Sequence, residues 1–117
     1  MRLEVYWMPA CSTCKKAVDY LNENGAEIAS FRDMKSEPLS IEEVRKLVEF
    51  VGDAEALFSK RAIKYRTMKL NERTLSDEEM IELMTGEYTF IKRPVIVSGG
   101  RGIAGFSVKR YEAFLNE

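Results

Sequence analysis

Leu3-Glu4-Val5-Tyr6-Trp7-Met8-Pro9-Ala10-Cys11-Ser12-Thr13-Cys14 decides how this chain folds. Leu3 to Trp7 alternates apolar with polar residues and is rich in β-formers, so it reads as a strand, which Met8-Pro9-Ala10 breaks. From Ser12 onward, Ala17, Val18, Tyr20 and Leu21 recur at helical spacing up to the stop signal Asn24-Gly25. Cys11 therefore falls at or just before the first turn of a helix. A thiol there faces unpaired N–H groups and the positive end of the helix dipole, and both favour thiolate over thiol. A free cysteine, with a pKa of about 8.5, is only a few per cent thiolate at neutral pH, whereas a shift to about 7 makes roughly half of it nucleophilic. Lys15 and Lys16 add positive charge nearby.

Cys14 lies one helical turn further on, where neighbouring Cβ atoms are about 5–6 Å apart, close to what a disulfide spans. It is placed to resolve a mixed disulfide or other adduct formed on Cys11. Two other readings stay open: a structural or incidental pair, and half of a metal site shared between subunits. A bridge between residues three apart closes almost no chain and stabilises little. Zinc asks for about four ligands, and the chain offers two cysteines and no histidine. Redox chemistry is the favoured reading, with no metal expected.

A length of 117 residues suits a single domain, 1–117, able to bury a core without staples. With 45% hydrophobic and 32% charged residues, the composition is that of an ordinary globular protein. A net charge of −1 gives no electrostatic case for direct nucleic-acid binding. No signal-peptide pattern opens the chain and no apolar run approaches the roughly 18 residues of a membrane span. A cytoplasmic location is expected, where a C-x-x-C pair is more plausibly catalytic or sensory than structural.

Outward from the opening strand and helix, Glu27 to Arg32 reads as a second strand and Met34 to Leu39 as a turn. Ser40 and Glu43 form a capping box for a helix with Ile41, Val44, Leu47 and Val48 inward, ended by Gly52. A small helix spans Ala54 to Phe58, ahead of the basic run Ser59 to Arg66. Ser76 and Glu79 cap another helix, with Gly86 as its stop. Pro94 to Val97 reads as a buried strand, Ser98-Gly99-Gly100 as a tight turn, Arg101 to Gly105 as the returning strand, and Ser107 opens a closing helix.

A parallel β-α-β unit followed by a hairpin and a final helix is the thioredoxin-like order. The expectation is an α/β fold with a four-stranded mixed sheet flanked by helices and a helical insertion over about residues 40–90. The Cys-bearing turn then sits at the carboxyl end of the first strand, where open α/β sheets hold their ligands. In that fold a cis-proline opening the third strand packs against the C-x-x-C turn, and Pro94 is expected to be that residue.

Cys11-Ser12-Thr13-Cys14-Lys15-Lys16-Ala17, Ser36-Glu37-Pro38-Leu39-Ser40, the Phe58 to Arg66 run and Ile91-Lys92-Arg93-Pro94-Val95-Ile96-Val97 together resemble the ArsC/Spx family, the arsenate-reductase-like branch of the thioredoxin superfamily. The resemblance covers nearly the whole chain. It implies a nucleophilic cysteine, matched by Cys11, among arginines that bind an oxyanion, matched by Arg61 and Arg93. Pro94, Ser12 and Thr13 would support the site. Read from the residues alone, Tyr6, Ser12 and Thr13 are candidates to hydrogen-bond the thiolate, while Ser and Thr in a first turn more often cap the backbone. Trp7 and Met8 suit packing as well as substrate contact. Glutaredoxin-coupled reductases of the family use a third arginine shortly after the last strand. Here Gly105-Phe106 stand at that place, with Arg101 and Arg110 out of register, so two arginines are expected.

Those reductases also carry one active-site cysteine, whereas Cys14 occupies the position of the second cysteine of Spx-like regulators. The resemblance thus leaves two functions. One is a thiol-dependent reductase of an oxyanion or disulfide, with no bound cofactor and with glutathione/glutaredoxin or thioredoxin as reductant. The other is a redox-sensing regulator that binds the RNA polymerase α subunit. Spx-like proteins usually extend into a basic tail beyond the last helix, while this chain stops at Asn116-Glu117. That ending and the near-neutral charge favour the reductase, and the C-x-x-C with the missing arginine favours the sensor. The balance falls on the enzyme.

Overall fold

The computed structural model of the chain describes residues 2–117. Strand β1 (Arg2–Trp7) turns through Met8–Ala10 into helix α1 (Ser12–Glu23), and β2 (Glu27–Asp33) returns parallel to β1. Next come α2 (Ile41–Val51), α3 (Ala54–Leu57), α4 (Ile63–Thr67) and α5 (Asp77–Gly86), with short 3-10 turns at Leu70–Glu72 and Tyr88–Phe90. Strands β3 (Val95–Ser98) and β4 (Arg101–Ala104) form a hairpin, and α6 (Val108–Leu115) closes the described chain. The sheet runs β2-β1-β3-β4, parallel in its first pair and antiparallel in the other two. This is the four-stranded mixed sheet of the thioredoxin-like order.

Capping chemistry sets the helix starts. Ser40 Oγ accepts from the Glu43 N–H at 3.1 Å while Glu43 accepts from the Ser40 N–H at 3.0 Å. Ser76 and Glu79 repeat the exchange at 3.2 and 3.1 Å. Each box satisfies two N–H groups that a helix start leaves without partners. α5 stops at Gly86, its last residue, with Glu87 as the cap; Gly86 does not take a positive φ. Neither α4 nor the 3-10 turns carry an apolar period long enough to be read from sequence. The Ser36–Ser40 stretch is held by Arg32, which donates to the Glu37 and Pro38 carbonyls at 2.9 and 3.0 Å and pairs with Glu43 at 2.9 Å.

The sheet is covered on both faces. Leu3, Val5, Ile96 and Ile103 pack with Ala17 and Leu21 of α1 and with Tyr111 and Phe114 of α6. On the other face Val95, Val97 and Ala104 pack with α2, α3 and α5 through Val44, Leu47, Leu57, Met80 and Met84. β3 is apolar at Val95, Ile96 and Val97 because successive side chains enter different cores. Its approach is tied to the end of α3: Phe58 bridges Ile91, the Lys92 N–H donates to the Leu57 carbonyl at 2.8 Å, and the Phe58 and Phe90 rings stack at 5.3 Å. The basic run after Phe58 is thereby returned to the rim where β3 begins. No helix among the described residues is long and apolar enough to cross a membrane.

Candidate active site

β1 ends in a tight turn, in which the Cys11 N–H donates to the Met8 carbonyl at 3.1 Å, and Cys11 then caps α1 with φ −83° and ψ 120°. Its carbonyl accepts the first helical bond, from the Lys15 N–H at 3.1 Å. Both cysteines are free thiols; Cys11 is partly exposed and Cys14, inside the first turn, is fully buried.

The two thiols have opposite acidities. Burial by itself would raise the Cys11 pKa, but the backbone N–H and the thiol of Cys14 and the guanidinium of Arg93 all favour its thiolate, and the net shift is downward. Cys14 is pushed up to about 12, first by burial and then by the proximity of Cys11. The cationic charge acting on Cys11 is thus Arg93, and not Lys15 or Lys16, which point out from the surface of α1.

Arg93 stands immediately before Pro94, and the peptide bond between them is cis. Its Nε and Nη1 are buried and have no acceptor among the described residues. Buried N–H groups normally find a partner, and guanidinium donors left unmet are able to take an anion. Beside it opens a cleft of about 600 Å³ whose walls include Cys11, Thr13, Arg61, Arg93, Phe106 and Arg110. Arg61 reaches it from the loop between α3 and α4, where its N–H donates to Ser59 Oγ at 3.3 Å. Its neighbours in the basic run are spoken for differently: Lys60 pairs with Glu55 at 3.4 Å and Lys64 pairs with Glu87.

The expectation of only two arginines is corrected by Arg110. Gly105 ends β4 with φ +80°, a conformation that favours glycine, and its N–H donates to the Pro94 carbonyl at 2.8 Å. Ser107 then caps α6, its Oγ accepting from the Arg110 N–H at 3.3 Å. Helical side chains lean toward the helix N-terminus, so Arg110 folds back over the glycine and donates from Nη2 to the Ala104 carbonyl at 3.1 Å. A third guanidinium therefore lines the cleft from the closing helix. The signal that could have found it is the cap at Ser107, which fixes the phase of α6. Arg101 is elsewhere, paired with Glu117 at 2.6 Å and set over the Phe114 ring.

Of the remaining candidates, Thr13 lines the cleft and Ser12, exposed on α1, does not. Tyr6 packs against the α2–α5 core, and Trp7 stacks on Phe31 at 4.7 Å; neither these residues nor Met8 line the cleft. Among the described residues no group of three or more His, Cys, Asp or Glu side chains is placed to hold a metal ion.

The model of the ArsC family matches residues 6–114. The chain is 36% identical over 115 residues to the uncharacterized protein YusI of Bacillus subtilis, covering 96% of this chain and 97% of that one. It is 25% identical to the global transcriptional regulator Spx of Bacillus subtilis, over 95% of this chain and 85% of Spx. Among solved structures, a protein of Bacteroides fragilis described as related to the ArsC family superposes with a TM-score of 0.83 at 28% identity, covering 97% of this chain and 98% of that one. With a thiol at the start of α1, a cis-proline opening β3 and a family match that spans nearly its whole length, the chain belongs to the ArsC family of the thioredoxin superfamily.

Proposed function

We propose that this protein is a thiol-dependent reductase of an anionic substrate, an oxyanion such as arsenate or a disulfide, with Cys11 as nucleophile and Cys14 as resolving thiol. The observation that carries the proposal is the pair of buried, unpartnered Arg93 nitrogens beside a thiol whose pKa the same guanidinium helps to lower. Guanidinium groups bind tetrahedral oxyanions through several oxygens while leaving the central atom open to attack. Arg61, Arg93 and Arg110 supply them here.

In the oxyanion reaction the Cys11 thiolate attacks arsenic(V), forming an As–S bond as one oxygen leaves, protonated, as water. The arginines stabilise charge that develops on the remaining oxygens. Cys14 then loses its proton and attacks the Cys11 sulfur. The S–S bond forms, the As–S bond breaks with its electron pair left on arsenic, and arsenite departs, so two thiols supply the two electrons. Cys14 is held protonated by burial and by Cys11. Once Cys11 is bonded to substrate its negative charge is gone, which brings Cys14 closer to ionising only at the step that needs it. A disulfide substrate follows the same order, with a thiolate as first leaving group. Glutathione/glutaredoxin or thioredoxin would reduce the Cys11–Cys14 disulfide and complete the cycle, with the cytoplasm as its setting.

The test is arsenite formation by the purified protein with arsenate and either donor system. Turnover with one donor and loss of it in Cys11→Ser support the proposal; no turnover with arsenate or with small disulfides under either donor overturns it. The likeness to Spx and the paired cysteines favour a second reading, a redox-sensing partner of the RNA polymerase α subunit. Calorimetric binding of an α-subunit fragment by the oxidised but not the reduced protein, or the reverse, would support that reading.

A further inference from the structure

Two buried nitrogens of Arg93 have no acceptor and the residue forms no salt bridge among the described residues, so its contact with the Cys11 thiol needs a further source of placement. What faces it is an aromatic ring: Arg93 Cζ lies 5.8 Å from the centroid of Tyr88. Tyr88 opens the 3-10 turn that precedes Ile91 and is itself half-buried. That turn is pinned at both ends. The Glu87 carboxylate accepts from the Thr89 N–H at 3.3 Å and its hydroxyl at 3.0 Å, and the Phe90 ring is stacked into the core against Phe58.

We propose that Tyr88 is the positioning residue of this site, its ring face holding the Arg93 guanidinium at the Cys11 side of the cleft without using any of the nitrogens that bind the anion. A carboxylate in the same place would hold Arg93 more tightly but would neutralise it and occupy its donors. A ring face attracts the cation through its quadrupole and leaves the in-plane N–H groups free for a ligand. The proposal rests on the reductase reading for the identity of the anion, but the placement of Arg93 against the thiol does not depend on turnover.

The prediction is that Tyr88→Leu removes the ring face and lets Arg93 swing out, whereas Tyr88→Phe keeps the face and loses only the hydroxyl. Alkylation of Cys11 by iodoacetamide across pH reads the effect directly. In Tyr88→Leu the apparent Cys11 pKa should rise by at least about half a pH unit, toward the free-thiol value. The arsenate KM should rise about tenfold with a smaller change in kcat, consistent with a desolvated cation–π contact. Tyr88→Phe should retain the wild-type profile. In an Arg93→Met background, adding Tyr88→Leu should change the Cys11 titration no further, because the residue acts through Arg93.

A Cys11 titration unmoved by Tyr88→Leu, or moved equally with and without Arg93, overturns the proposal. Should Tyr88→Leu lose its folded thermal transition, Tyr88→Met tests the same loss of ring face with a side chain that still fills the space, and the same two outcomes apply. Absence of arsenate turnover in the wild type would count against the reductase reading alone, since the titration still decides the role of Tyr88.

Discussion

The two sides of the cleft are built differently. On one side Cys11 caps the 12-residue helix α1, and Arg93 precedes a strand whose first residue, Val95, is fully buried. On the other side Arg61 is exposed in the loop between helices of four and five residues, where its N–H donates to Ser59 Oγ at 3.3 Å. Under the proposed reductase reading, the groups that activate the thiol sit on a long helix and at a strand entrance, and the arginine that would meet an incoming anion sits in a loop. Arg110 is intermediate, carried by a helix but reaching back over a glycine.

That contrast is testable from its strongest member downward. Cys11→Ser should lower turnover by about 10³-fold or more while leaving the thermal transition nearly in place, since the side chain is partly exposed. In Cys14→Ser the cycle should stall at a Cys11 adduct, seen by mass spectrometry, and turn over only when an external thiol is added. An enzyme indifferent to both changes would have its chemistry elsewhere.

Next in size is Arg93→Met, expected to cost about 10²–10³-fold in kcat/KM, the usual range for loss of one donor to a developing anion. It should also raise the Cys11 pKa, because the guanidinium is one of the causes that lower it. Arg61→Met should cost about tenfold, in KM rather than kcat, and leave the Cys11 titration where it is. Equal losses from the two arginines, or a shifted Cys11 titration in Arg61→Met, would break the distinction between the two sides.

The smallest effect is on stability. Cys14 is raised by burial and by Cys11, so between about 8.5, where a free thiol ionises, and about 12 the folded state keeps a proton that the unfolded state releases. Stability contributed by the protonated Cys14 is therefore fully present below about pH 8.5 and declines as pH rises. Cys11 has the opposite sign: its lowered pKa adds stability above the free-thiol value that is lost as pH falls through its folded value. Urea unfolding of the reduced protein at pH 8 and pH 9.5 should show a larger alkaline loss for wild type than for Cys14→Ala. A parallel loss in both would mean that the burial of Cys14 carries no proton penalty.

Much of this was open to inspection in the chain itself. Ser40 with Glu43 and Ser76 with Glu79 announce two helix starts because capping is local chemistry between residues three apart. Cys11 before a periodic apolar run announces a thiol at a helix start, and the three apolar residues after Pro94 announce a strand covered on both faces. Gly86 marks the end of α5 to within one residue, as its last position, without taking the positive φ of a glycine cap.

The sequence by itself thus determined the main helices and strands and the place of the two thiols, consequences of interactions that span a turn or two of chain, and the rules for parallel crossovers then limited the sheet to the thioredoxin-like order. Only the tertiary structure decided which cations line the cleft beside the sulfur. Lys15 and Lys16 are its near neighbours along the chain and turn to solvent, while Arg61, Arg93 and Arg110 come to the cleft from a loop, a strand entrance and the closing helix. Their meeting depends on how α3 ties to the approach of β3 and on the phase that Ser107 imposes on α6. Electrostatic attraction acts through space, and distance along the chain carries almost no information about it until the fold has closed.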